Sequence, residues 1–213
     1  LGSFIQYGTD EHGDSGYAFA GPALNNIWPR RFWPEVNGDS HTYDDPAYVG
    51  NHVDGFGNKL SVHAVGNPFD TGIEPAIIHN RATGYGPVTF NKKDRTITTA
   101  CWPRYADPSS GTIEQFPGWP ITIKQEDNYG KKAVAWLPTI KVANVSKPVI
   151  SVFDNNNQLV YSIRMTANTF APKVFDKEKY TIVIQDVENN RKKTLKNIRA
   201  KTVNNRILEI NLD

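Results

Sequence analysis

The stretch Val149-Ile150-Ser151-Val152-Phe153-Asp154-Asn155-Asn156-Asn157-Gln158-Leu159-Val160-Tyr161-Ser162-Ile163-Arg164-Met165 decides the fold class. Two apolar-rich runs flank the four residues Asp154 to Asn157. Short Asp and Asn side chains hydrogen-bond their own backbone and so favour a turn. Alternate side chains of an extended chain point to opposite faces, which places Leu159, Tyr161, Ile163 and Met165 on one side. The spacing predicts a β-hairpin with strands over 149–153 and 158–165.

The same period continues on either side. Residues 169–174 read as a strand, and so do residues 179–185, with Tyr180, Ile182 and Ile184 facing inward. A basic stretch covers 191–201, and 206–212 closes the chain with Leu208, Ile210 and Leu212 on one side. With 139–143 upstream, six or seven short strands fit into about 75 residues, the count and spacing of an immunoglobulin-like sandwich. That sandwich is expected over 138–213, joined through a connecting segment at 119–137.

Residues 1–118 read differently. Short strands are expected over 3–7, 17–20 and 59–65, the last with Leu60, Val62 and Ala64 pointing one way. A hairpin spans 86–102: Val88 and Phe90 lead into the polar turn Asn91 to Arg95, and Ile97, Thr99 and Cys101 lead out. Between them lie long irregular stretches, 24–58 and 67–83, of the kind that packs over a neighbouring surface or serves function. No stretch of a dozen residues carries the 3.6-residue apolar period of a helix free of Pro and Gly. The fold class is therefore mainly β, an irregular loop-rich β region followed by a sandwich.

Charge divides at the same joint. Residues 1–119 hold eight Lys and Arg against 13 Asp and Glu, whereas residues 120–213 hold 16 against nine. All five histidines and 15 of the 16 glycines precede position 120, so two regions of different build are expected. At 38% hydrophobic and 22% charged residues the composition is that of a globular chain. No apolar run reaches the roughly 20 residues of a spanning helix, so no transmembrane segment is expected. The lone Cys101 supports neither a disulfide framework nor a CxxC motif and reads as a buried apolar residue.

The histidines His12, His41, His52, His63 and His79 show no ligand spacing such as HxxxH, and no metal site is expected within this chain. Asp54-Gly55-Phe56-Gly57-Asn58 lacks the alternating acids of a calcium loop and reads as a turn. Ser15, in Gly13-Asp14-Ser15-Gly16-Tyr17, matches half of a serine-protease signature, but no GxSxG elbow or paired base accompanies it. The richest stretch is Asn25-Asn26-Ile27-Trp28-Pro29-Arg30-Arg31-Phe32-Trp33-Pro34. Arginine offers a planar fork to phosphate and tryptophan a flat face to a sugar, base or cation. Asn25, Asn26, Trp28, Arg30, Arg31 and Trp33 are therefore the candidate substrate-binding residues; catalytic residues are not identified. The basic run from Arg191 to Lys201 reads as a solvated face. No aromatic residue interleaves with it, so no nucleic-acid partner is expected.

Several motifs together resemble one family. Gln6-Tyr7-Gly8, the run from Gly13 through Ala18-Phe19-Ala20-Gly21-Pro22-Ala23, and Arg30-Arg31-Phe32-Trp33-Pro34 look like a segment of secreted metallophosphoesterases. The group is the alkaline-phosphatase-D-like branch of the calcineurin-like superfamily. The likeness continues through Asp54 to Lys59, Arg81-Ala82-Thr83-Gly84-Tyr85-Gly86, Cys101-Trp102-Pro103-Arg104 and Gln115 to Pro120. It implies that residues 1–118 are the C-terminal portion, at the edge of the α/β sandwich, of a metallophosphoesterase-like domain, with the immunoglobulin-like tail appended. In that family the metal ligands precede this segment, the last in a Gly-Asp-x-His-like motif that would fall just before Leu1. The resemblance thus implies a chain inactive alone, within a metal-dependent phosphodiesterase or phosphatase that is periplasmic or extracellular. Its partners would be the N-terminal catalytic portion with its divalent metal pair, a phosphoester substrate held near Arg30 or Arg31, and further copies meeting at exposed strand edges. The alternative reading is a glycan- or polyanion-binding β-sandwich module without enzymatic activity.

Overall fold

The computed structural model describes residues 2–24, 36–66, 84–104, 106–111 and 114–213. With 46% strand against 3% helix the protein is mainly β and built from several antiparallel sheets. It divides into two compact units, Leu1–Lys131 and Lys132–Asp213.

In the first unit, strands β1 (Gly2–Tyr7), β2 (Tyr17–Ala20), β3 (Gly50–Val53) and β4 (Lys59–Gly66) form one antiparallel sheet in the order β2-β1-β4-β3. Central β1 is buried along all but its last residue. One face carries Phe4 and Ala64 onto Cys101, Phe116 and Trp119; the other groups Ile5 with Val62 and Val65. The register passes from Phe4 opposite Ala64 to Ile5 opposite Val62, so His63 is an extra residue in a β-bulge. This corrects the expectation for 59–65. The bulge breaks the strict alternation, so Leu60 and Val62 lie with Ile5 while Ala64 lies with Phe4.

Strands β5 (Gly84–Tyr85), β6 (Val88–Asn91), β7 (Thr96–Thr99), β8 (Trp102–Pro103) and β9 (Ile121–Lys124) follow among the described residues of this unit. β5 pairs with β8, and β6-β7-β9 form a three-stranded sheet. The expected hairpin is β6–β7, with the Asn91 side-chain oxygen accepting the Lys93 and Asp94 N–H groups at 3.0 and 3.1 Å. A short 3₁₀ helix, Gln125–Tyr129, follows β9 and ends on left-handed Gly130. β3 lies inside the stretch expected to be irregular. Its residues Asn51 and His52 carry no apolar alternation, and pairing with β4 is what makes them a strand.

The second unit contains β10 (Ala135–Trp136), β11 (Thr139–Val142), β12 (Val149–Phe153), β13 (Leu159–Arg164), β14 (Thr169–Phe170), β15 (Lys173–Val174), β16 (Lys179–Asp186), β17 (Arg191–Arg199) and β18 (Ile207–Ile210). Sheets run β13-β12-β16-β17 and β14-β11-β18, with β10-β15 as a short third pair. Ile140 and Val142 of one sheet, and Ile150, Val152, Ile182 and Ile184 of the other, are fully buried. Each of the two sheets therefore buries alternate side chains of its strands.

The strand order departs from the immunoglobulin constant-type order, in which strands A, B, E and D form one sheet and C, F and G the other. With β14 and β15 taken as one interrupted strand, the order from β11 onward is C-B-E-F and D-A-G, and A runs parallel to G. The connections explain it. β12–β13 and β16–β17 are joined by tight turns, which hold both partners in one sheet, whereas the immunoglobulin order carries both connections across the sandwich. The strand expected over 169–174 is divided, because Pro172 has no N–H for a ladder. Its two halves pair with β11 and β10. Leu159, expected on one face with Tyr161, Ile163 and Met165, is 57% exposed while those three are buried, since the register shifts beside Phe153.

Candidate functional site

Asn25, Asn26, Trp28, Arg30, Arg31 and Trp33 lie outside the described residues, as does His79. The fold does place their anchor. The Gly84 N–H donates to the Ala23 carbonyl at 3.0 Å, so the chain two residues before the Trp/Arg segment is tied to the strand that follows residues 67–83. Close packing surrounds this junction: a Cβ on Gly66 would come within 2.8 Å of Cys101 Sγ, and one on Gly2 within 3.1 Å. Burial pushes the Cys101 thiol up to about 12, so it is a packing group and not a nucleophile.

The bulge at His63 creates the most unusual side-chain cluster of the first unit. It turns the imidazole toward Phe4 and Tyr17, with ring centroids at 6.1 and 5.4 Å. Phe4 also stacks on Tyr17 at 5.2 Å and meets Trp119 edge-on at 6.2 Å. The Trp119 indole N–H donates to the Val65 carbonyl at 3.2 Å. His63 Nε2 is buried without a hydrogen-bond partner, and desolvation lowers the pKa of the ring. Burial, aided by the Asp127 charge, raises the Tyr17 hydroxyl above its ordinary range. The cluster is an apolar box around a neutral imidazole. The Tyr17 hydroxyl is not hydrogen-bonded to the His63 Nε2.

The remaining described histidines hold the backbone. His12 Nε2 donates to the His52 carbonyl, His52 Nε2 to the Tyr48 carbonyl and His41 Nδ1 to the Val49 carbonyl, each at 3.0 Å. A carbonyl only accepts, so the bonded nitrogen carries the proton in each case. Asp14 accepts from the Thr9 hydroxyl and from the Thr9, Asp10 and Glu11 N–H groups, which hold its carboxyl well below the usual range. Asp54 accepts from the Phe56 and Asn58 N–H groups at 2.9 Å each, which makes the suspected calcium loop a turn. Ser15 serves through its carbonyl, which accepts the Gln6 amide N–H at 2.8 Å. Among the described residues no three His, Cys, Asp or Glu side chains gather within reach of one metal ion.

In the second unit, cations converge. Lys177, Arg199, Lys201, Thr202 and Asn205 line an open basin of about 390 Å³. Arg199 and Lys201 also border a neighbouring crevice with Trp136, Pro138, Asn204 and Arg206. Reciprocal backbone bonds between Trp136 and Lys201, at 2.8 and 2.9 Å, hold the basin's base. Asn204 Nδ2 donates to Thr139 Oγ1 at 3.0 Å and steadies its rim. Sequence reasoning took Arg199 and Lys201 as the end of a solvated basic run. Arg206 follows that run by five residues, whereas Lys177 is remote from it, and no spacing rule would have joined Lys177 to it.

Searches against protein families, curated proteins and solved structures find no match for this chain.

Proposed function

We propose that this chain is the C-terminal portion of a secreted metal-dependent phosphoesterase of the alkaline-phosphatase-D-like kind. Residues 1–118 complete the edge of its catalytic domain. The later unit is an accessory β-sandwich, immunoglobulin-like in strand number and two-layer build. The observation that carries the reading is the series of long motifs from Gln6 to Pro120. Supporting it, β2 pairs only with β1 among the described residues, so this end of the four-stranded sheet can continue into another sheet, whereas the far side of β3 is already bridged by Asp39. The divalent metal pair belongs to the portion preceding Leu1 and would supply Lewis-acid stabilisation of the phosphoryl oxygens. Arg30 and Arg31 contribute charge to the bound phosphate, and the protein works in the periplasm or outside the cell.

The test compares this chain with the whole gene product on bis-(p-nitrophenyl) phosphate and p-nitrophenyl phosphate, each with Mn²⁺, Zn²⁺, Ca²⁺ or Fe²⁺. Hydrolysis by the whole product alone is expected, with Arg30→Ala and Arg31→Ala lowering it. Silence in both proteins overturns the reading. Self-association through strand edges is part of the same reading. Phe90, 70% exposed on outer strand β6, is the apolar residue a second copy would cover. Phe90→Lys is expected to return any dimer seen in sedimentation to monomer.

A further inference from the structure

We infer that the basin at Arg199 and Lys201 binds a linear polyanion that presents closely spaced phosphate or sulfate groups. The inference concerns the second unit and goes beyond the phosphoesterase reading; it stands or falls independently of the hydrolysis test.

Charge is the first ground. Residues 132–213 hold 14 Lys and Arg against seven Asp and Glu, and this excess is not spent evenly. Lys141 is paired with Glu209 at 2.8 Å, and Arg191 with Asp186 at 2.8 Å. Among the described residues, Lys177, Arg199, Lys201 and Arg206 have no such carboxylate partner. Lys179, opposite Arg199 across the β16–β17 ladder, is a further cation on the same sheet face. Two acids stand nearby. Asp176 accepts the Tyr180 hydroxyl at 2.7 Å, and Glu178 sits between Lys177 and Lys179. Lys177, Arg199 and Lys201 line the basin, Arg206 borders the crevice beside it, and with Lys179 they outnumber the two neighbouring carboxylates.

Shape and chemistry are the second ground. A solvated face disperses its cations, whereas Lys177 joins Arg199 and Lys201 in one concavity, and Arg206 reaches the adjoining crevice that the last two also border. Concave walls of low dielectric focus the field of the charges that line them. The Arg199 and Arg206 guanidinium groups offer planar forks to phosphate or sulfate oxygens, and Lys177 and Lys201 supply point charges. Thr202 and Asn205 add neutral hydrogen-bonding groups on the basin wall. The concavity favours a strand-like polymer over a flat lipid surface, and the single neighbouring Trp136 gives no platform for successive bases.

The test is titration of the full chain with inorganic tripolyphosphate and, separately, a heparin-derived oligosaccharide, at about 50 mM and about 200 mM salt, where screening differs. The tighter of the two identifies the source of the anionic groups. The basin variant is Arg199→Gln with Lys201→Gln; Lys192→Gln with Lys193→Gln removes equal charge from the far end of β17. All four side chains are on exposed residues, and circular dichroism confirms folding. Expected is binding at low salt that weakens about tenfold or more in the basin variant and less than about threefold in the control. No binding of either probe, equal losses in the two variants, or tighter binding to phosphatidylserine vesicles than to both probes overturns the inference.

Discussion

At the scale of single residues, the bulged His63 and the helix-ending Gly130 carry the sharpest expectations. His63 is held neutral by desolvation, so its folded pKa lies below the ordinary value near 6.5. Below that pH the unfolded chain takes up a proton that the folded chain refuses. The unfolded state then binds more protons, and stability falls as pH drops from about 6.5 toward 5. In His63→Phe, which keeps a ring between Phe4 and Tyr17, the urea midpoint should change less across that window. A slope as steep as the wild type's would remove His63 as its source. Gly130 sits at φ 75°, and a Cβ there would collide with the Ser15 backbone. Gly130→Ala should cost about 1–3 kcal/mol from left-handed strain and displacement of the Ser15 loop, measured by urea denaturation.

Elements show which sequence signals suffice. Tyr180, Ile182 and Ile184 alternate inward as their spacing predicts, because β16 is central and nothing interrupts its ladder. Ile182→Ala should therefore cost about 2–5 kcal/mol, read as a lower urea midpoint. β4 and β13 failed the same rule at Ala64 and Leu159, since one extra residue in a ladder reverses every side chain beyond it. β17 explains its own composition. It is an outer strand, and Arg191, Lys192, Lys193, Lys196 and Arg199 discourage further pairing. Lys192→Val with Lys196→Val should raise light scattering on warming, and unchanged scattering would count against this role.

For the whole molecule, the charge split in the sequence corresponds to a chain of two units, each with its own buried clusters. A protein consisting of residues 132–213 alone should give a cooperative thermal transition with β-type circular dichroism; a featureless melt would mean that the sandwich needs the rest of the chain. Local pattern by itself determined the β class, the two main hairpins and the burial of Cys101 and Ile182, because these follow from side-chain period and turn chemistry over a few residues. It also supplied the family resemblance and the Trp/Arg segment, which lies outside the described residues. Tertiary structure alone decided the C-B-E-F and D-A-G order, the turn of His63 into an aromatic box, the division at Pro172 and the cationic basin. Each of these depends on which strands pair, in what register, and on residues such as Lys177, which no short window joins to Arg199 and Lys201. Pairing is a long-range choice, made by the total burial of both faces, and single-strand periodicity does not encode it.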